Sequence, residues 1–253
     1  MEEQFIPGIY NYCDRWCERC SFTTRCRNYE SVENLTPEQQ DIHNEAFWKK
    51  ISDNFKQAMQ MLQDLAEKEG IDLDSIMSSE EAASWEKKRE ETDQAVRKTR
   101  LILLCEEYQK LARPFLKENF PEELVSQTRT LHSNMHMGIE TPETVVNTMA
   151  TLGDCSEVIQ WYLFFIEVKL IRALSQKFEG DEPDDFPKDS DGSAKIAVIA
   201  VERSMGAWAR LFELLPDTED VSLQTLAILS KIKTEALLNF PDAMKFVRPG
   251  FDE

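Results

Sequence analysis

Asp154-Cys155-Ser156-Glu157-Val158-Ile159-Gln160-Trp161-Tyr162-Leu163-Phe164-Phe165-Ile166-Glu167-Val168-Lys169-Leu170 is the most apolar stretch of the chain. Its first four residues read as a capping box: Asp154 serves as N-cap and Glu157 reaches back to it. Apolar side chains nearly all round the stretch imply a helix covered on every side, the central helix of an all-α fold. Gly153-Asp154 is expected to separate it from an earlier helix opening at Thr141-Pro142-Glu143.

The chain before this point repeats the helical pattern. Thr36-Pro37-Glu38-Gln39 is a further capping box, with Pro37 at the first helical position. Ile42, Phe47, Ile51, Phe55, Met59, Leu62 and Ala66 follow in steps that hold one helical face, and Gly70 ends it. The pattern resumes after Ser79 and runs through Ala82, Trp85, Val96, Leu103 and Tyr108 to Pro114, where a kink or stop is expected. Glu86 to Arg100 is highly charged and reads as a solvated face. A shorter helix is predicted from Pro121 to about Met137.

Beyond the opening stretch, Gly180 to Ser193 is rich in Asp, Pro and Gly and reads as a linker. Helices are predicted over Ala194 to Leu215 and Ser222 to Leu238, before a Pro-containing tail. Gly 8 and Pro 10 are few for 253 residues, and no stretch alternates long enough for a strand. The expected architecture is a bundle of six or seven helices over residues 35–253, with the pair at 194–240 packed on the rest. Residues 1–34 form a separate loop-rich segment.

That segment carries the chemistry. Cys13, Cys17, Cys20 and Cys26 are spaced C-x3-C-x2-C-x5-C, so four of the six cysteines fall within one short loop. Close spacing keeps the entropic cost of convergence on one metal low. Arg15, Arg19, Arg25 and Arg27 stand among them, and their charge is expected to favour the thiolate forms. Tyr10, Tyr12, Trp16, Phe22 and Tyr29 can form a dry shell. A [4Fe–4S] cluster is slightly favoured over Zn2+, since tight cysteine runs are common around iron–sulfur clusters and zinc more often takes two separated C-x2-C pairs.

Composition narrows the partners. Hydrophobic content of 42% and charged content of 30% are those of a globular chain, and the net charge is -18. Such a surface repels nucleic acid and anionic membranes, so a protein partner is expected, with no nucleic acid and no membrane. Met1-Glu2-Glu3-Gln4 lacks the pattern of a secretion signal, and the longest apolar runs, Trp161 to Ile166 and Ile196 to Val201, are too short to span a bilayer. A cytoplasmic location follows as the expectation. Thiols there stay reduced, which points the cysteines to a metal rather than to disulfides.

Other residues invite a site. His132, His136 and Glu140 are spaced to line up on one helix, although Gly138 can end that helix first. Glu107, Glu167 and Glu202 are candidates for a carboxylate metal site inside the bundle, the basis of a metal-dependent oxidase or oxygenase as the alternative function. Pairing of those glutamates, with Lys169 and Arg203 nearby in sequence, is the plainer account. Cys105 and Cys155 lie in apolar segments and read as core.

Cys13-Asp14-Arg15-Trp16-Cys17-Glu18-Arg19-Cys20 resembles the C-x3-C-x2-C motif of radical SAM enzymes. Those enzymes carry it in a β/α barrel, which has no counterpart in this pattern of helices, and Cys26 would close the open iron that they need. Ile9 to Cys26, with Tyr-Asn-Tyr-Cys-Asp-Arg-Trp-Cys-Glu-Arg-Cys, resembles the N-terminus of a group of uncharacterised bacterial proteins. The resemblance spans about a tenth of the chain and implies no activity. From the residues themselves, the expected function is a redox, sensing or partner-binding module built on a four-cysteine centre.

Overall fold

The computed structural model describes residues 5–33, 35–72, 80–180 and 188–252, and every regular element in them is helical. The chain divides into two compact units, residues 1–91 and 92–253.

In the first unit, α1 (Arg27–Glu33), α2 (Pro37–Gln40) and α3 (Glu45–Glu69) follow the cysteine loop. The capping box forms as its residues dictate. Thr36 Oγ1 accepts from the Gln39 N–H at 3.4 Å, and Gln39 Oε1 accepts from the Thr36 N–H at 3.0 Å. The helix it opens nevertheless lasts only four residues. Asn44 caps a fresh start, its Oδ1 accepting from the Ala46 N–H at 3.0 Å. Two good N-caps eight residues apart compete for one helix, and the chain uses both. Gly70 ends α3 as expected with a left-handed φ of 68°, and the Ile71 N–H donates to Ala66 O at 2.8 Å. The apolar face of α3, expected to pack in a bundle, is instead exposed: Phe55 is 70% exposed, and only Ala66 is buried.

α4 (Glu80–Arg97) spans the division at residue 91. The pattern expected to run unbroken to Pro114 stops at Lys98. Thr99 Oγ1 then accepts from the Ile102 N–H at 3.5 Å and starts α5 (Arg100–Pro114). Proline at 114 does not stop the chain. Its missing N–H and ring are absorbed by a single π-helical turn, Phe115–Asn119, that leads directly into α6 (Phe120–His136).

α7 (Pro142–Glu179) begins where Thr141 predicts, its Oγ1 accepting from the Thr144 N–H at 3.1 Å, and then runs for 38 residues. The expected break at Gly153-Asp154 is absent. A helical glycine costs about 1 kcal/mol relative to alanine, and burying Leu152, Cys155 and Ile159 along one continuous face outweighs that. Glu157 is consequently a mid-helix residue and not a cap. Nor is α7 covered all round, because Trp161, Phe164 and Val168 form an exposed stripe.

The helix that comes nearest to being covered all round is α8 (Asp189–Leu214): Gly192 to Val198 are buried without a break, while Glu202, Gly206, Ala209 and Glu213 form an exposed stripe in its second half. It starts five residues before the predicted Ala194, because Arg172 Nε donates to Asp189 Oδ2 at 3.0 Å and Ser190, Gly192 and Ser193 are buried against neighbours. Of the expected linker, residues 181–187 lie outside the described residues. α9 (Glu219–Asn239) follows a short 3-10 turn. α8 lies between α7 and α9, and α5 packs on both of those flanking helices. Small side chains on α8, among them Ala194, Ala197 and Ala200, let the neighbouring helices come close.

Trp208 fills the centre of this unit. Its ring centroid is 5.1 Å from that of Phe115, and its Nε1–H donates to Tyr108 Oη at 3.1 Å. Burial pushes the Tyr108 phenol up to about 12, so it stays neutral. The tail is tied down by charge. Lys195 Nζ, on α8, contacts Asp252 at 2.7 Å and donates to Phe246 O at 2.6 Å, while Arg248 clamps the same carboxylate.

Candidate metal centre

The cysteine loop is a chain of short turns. Gly8, in the left-handed region at φ 73°, starts a 3-10 turn over Ile9–Asn11 whose Ile9 side chain is buried. Asp14 Oδ1 accepts from the Trp16 N–H at 3.2 Å, an Asx-type turn that accompanies a left-handed φ of 57° at Arg15. Cys17–Arg19 and Thr23–Arg25 form two further 3-10 turns. The Ile6 N–H donates to Arg25 O at 3.0 Å and joins the two ends of the loop.

All four cysteines are half-buried, and none is in a disulfide. Cys13 Sγ–H donates to Tyr10 O at 3.6 Å, and Cys20 Sγ accepts from the Phe22 N–H at 3.4 Å. Burial pushes the Cys17 thiol up, and the charges of Cys13, Glu18, Cys20 and Cys26 add to it in that order. Four thiols therefore share one electrostatic neighbourhood. The shift runs opposite to the thiolate-favouring one expected from the arginines. Arg19, the nearest in sequence on that turn, lies over the Trp16 ring at 4.0 Å from its centroid. The aromatic shell is present in outline, since Tyr10, Tyr12, Trp16, Phe22 and Tyr29 are all half-buried.

As the side chains stand, no group of three or more His, Cys, Asp or Glu among the described residues is arranged to hold a metal ion. The donor set nevertheless fits a soft metal: four sulfurs from one loop, one of them already accepting a backbone N–H.

The other candidates are dispersed. His132 and His136 meet across one turn of α6, Nε2 to Nε2 at 3.3 Å, so one imidazole donates and the other accepts. Glu140 does not join them, because α6 ends at His136 and Gly138 turns the chain at φ 71°. Glu107 is exposed, Glu167 accepts from Gln109 Nε2, and Glu202 pairs with Lys233 at 2.8 Å. These two partners come from other helices. Lys169 is buried with its Nζ over the Phe165 ring, and Arg203 Nη1 donates to Tyr162 Oη at 2.6 Å. Cys105 and Cys155 are buried, and burial raises both thiols.

Sequence reasoning missed the cleft of about 670 Å³ beside the start of α8, lined by Lys177, Lys188, Ser190 and Phe240 among others. Its residues come from α7, α8 and the tail, so only the tertiary fold brings them together. Among the described residues, no helix is long and apolar enough to cross a membrane. Comparison with known protein families, curated proteins and solved structures finds no match.

Proposed function

We propose that Cys13, Cys17, Cys20 and Cys26 together hold one metal centre, and that the protein acts as a redox, sensing or partner-binding module built on it. A [4Fe–4S] cluster is the first choice of metal group and Zn2+ the second. The observation that carries this reading is that Cys13, Cys17, Cys20 and Cys26 are all half-buried on one loop closed by the Ile6–Arg25 hydrogen bond. A bound cluster supplies one-electron chemistry, whereas zinc supplies a fixed tetrahedral anchor.

The protein's own part is definable. The Phe22 N–H at Cys20 Sγ stabilises charge on that sulfur. The half-buried aromatics limit water at the loop. Loading requires the Cys17 thiol to give up a proton that burial makes it hold, so metal affinity is expected to fall as the pH drops. A reducing compartment such as the cytoplasm keeps all four thiols available.

Purification without oxygen, a visible spectrum, and Fe, Zn and sulfide per chain test the reading. A brown protein with stoichiometric sulfide supports the cluster; a colourless one with a single zinc removes electron transfer and leaves the anchor. Metal-free protein from anaerobic cells sinks the proposal. Cys20→Ser is expected to release the metal and open residues 5–26 to limited proteolysis while most of the circular-dichroism helix signal stays.

A further inference from the structure

α3 carries an apolar face whose large side chains are exposed. Trp48, Ile51, Phe55, Ala58, Leu62 and Leu65 recur at alternating steps of three and four, the spacing of a coiled-coil seam. Trp48 is 57% exposed, Phe55 70% and Leu65 55%, with Met59 and Met61 exposed beside them. The helix has 25 residues, a length of about 37 Å. We propose that α3 pairs with α3 of a second copy of this chain, antiparallel, across this seam.

Three properties of the helix select that occupant. The first is side-chain volume. Pairing two copies about the midpoint between residues 56 and 57 sets Trp48 against Leu65, Ile51 against Leu62, and Phe55 against Ala58. Each large ring then faces a smaller residue, as a packed core requires. A parallel pair would instead set Trp48 on Trp48 and Phe55 on Phe55, and leave a gap at Ala58.

The second is area. Large apolar side chains bury roughly 150–250 Å² each when aromatic. The seven exposed ones, Trp48, Ile51, Phe55, Met59, Met61, Leu62 and Leu65, therefore offer on the order of 700 Å² per copy. A stable specific interface needs about 800 Å² per partner, and the matching surface of a second copy comes close to that.

The third is charge. The positions flanking the seam between Trp48 and Leu65 are Ser52, Asn54, Met59 and Met61, all uncharged. Lys49, Lys50, Asp53, Lys56 and Asp64 lie on the outer faces. In a chain of net charge -18, two copies can meet here without setting like charges opposite each other.

Sedimentation equilibrium of the full chain tests the pairing. The expected mass rises from 29.3 kDa towards twice that value with concentration. Phe55→Glu and Leu62→Glu should each weaken association at least 10-fold, while Gln57→Glu and Gln60→Glu on the outer faces leave it unchanged. Circular dichroism confirms that each variant keeps its helix content. A chain that stays monomeric at every concentration overturns the proposal, whether the face is then taken by another part of the chain, by another protein or by lipid vesicles. So does a dimer indifferent to both seam variants. Spin labels attached without thiol chemistry read the direction. In an antiparallel pair, labels at residue 56 lie almost level, and labels at residue 67 are offset by about 30 Å along the axis. Short distances at both positions overturn the antiparallel arrangement.

Discussion

α3 and α8 are nearly the same length, 25 and 26 residues, and both read as helix from their apolar spacing. Fourteen residues of α8 are buried, against one of α3. The difference lies less in hydrophobic content than in distribution and size. α3 concentrates large side chains on one stripe and carries its Lys, Gln and Asp on the outer faces. α8 spreads small ones, such as Gly192, Ala197 and Ala200, over most of its circumference, so helices close on it from more than one side. A single stripe can be covered by one partner, whereas small residues all round specify a helix enclosed by its own fold.

Thiol chemistry offers the largest test of this contrast. In metal-free native protein, Cys13, Cys17, Cys20 and Cys26 are half-buried, whereas Cys105 and Cys155 are buried with raised thiols. An aromatic disulfide reagent at pH 8 is expected to modify four thiols quickly and the last two orders of magnitude more slowly, until urea unfolds the second unit. Six equivalent rates would show that the second unit opens as readily as the cysteine loop.

Core truncation comes next. Trp208→Ala removes a fully buried ring and its hydrogen bond to Tyr108, at a cost of about 3–5 kcal/mol. Phe55→Ala, at 70% exposure, should change the stability of the monomer by no more than about 0.5 kcal/mol. Urea titration at low protein concentration compares the two, and equal effects would erase the distinction between the helices.

A smaller effect belongs to the tail. Hydrogen bonds from Arg248, and then from Lys195, hold the Asp252 carboxyl well below the usual carboxylate range, against a burial effect that raises it. A depressed folded value contributes stability above the unfolded value of about 3.9, and that contribution is lost as the pH falls towards the folded value. Asp252→Asn should cost about 1–2 kcal/mol at neutral pH, since solvent reaches the site. The variant should also flatten the pH dependence of second-unit stability below about pH 4. An unchanged acid limb would show that the clamp does not contribute.

The smallest test uses one residue type in both units. Thr99→Ala removes the N-cap of α5, whose Leu101, Ile102 and Leu104 are core residues, and should lower second-unit stability by about 1 kcal/mol. Thr36→Ala removes an equally formed cap, but from the four-residue α2, and should leave that stability unchanged. A cap matters in proportion to what its helix buries.

Local signals were read well where they act locally. The box at Thr36, the cap at Thr141 and the stop at Gly70 all form, because a cap or a left-handed glycine needs only its own few neighbours. Thr99 before an apolar run carries the same signal, but the continuing apolar spacing on both sides of it predicts one long helix to Pro114. Gly153 and Asp154-Cys155-Ser156-Glu157 had the right letters for a break and a cap, and the continuous buried face of α7 overrode them. At the cysteine loop, the four thiols were legible as a group. The direction of the Cys17 shift was not, because it depends on burial and on the neighbouring Cys13, Glu18, Cys20 and Cys26.

By itself the sequence determined that the chain is helical, where most helices begin, and which four sulfurs share a loop. Each of these follows from side chains within a few residues of one another. Only the tertiary structure decided that the first half of α8, and not α7, is enclosed, that Glu167 and Glu202 are held by Gln109 and Lys233, and that the apolar side chains of α3 are exposed. Those outcomes depend on which distant helices come close. Small side chains permit that approach, but the order in which the helices pack decides it.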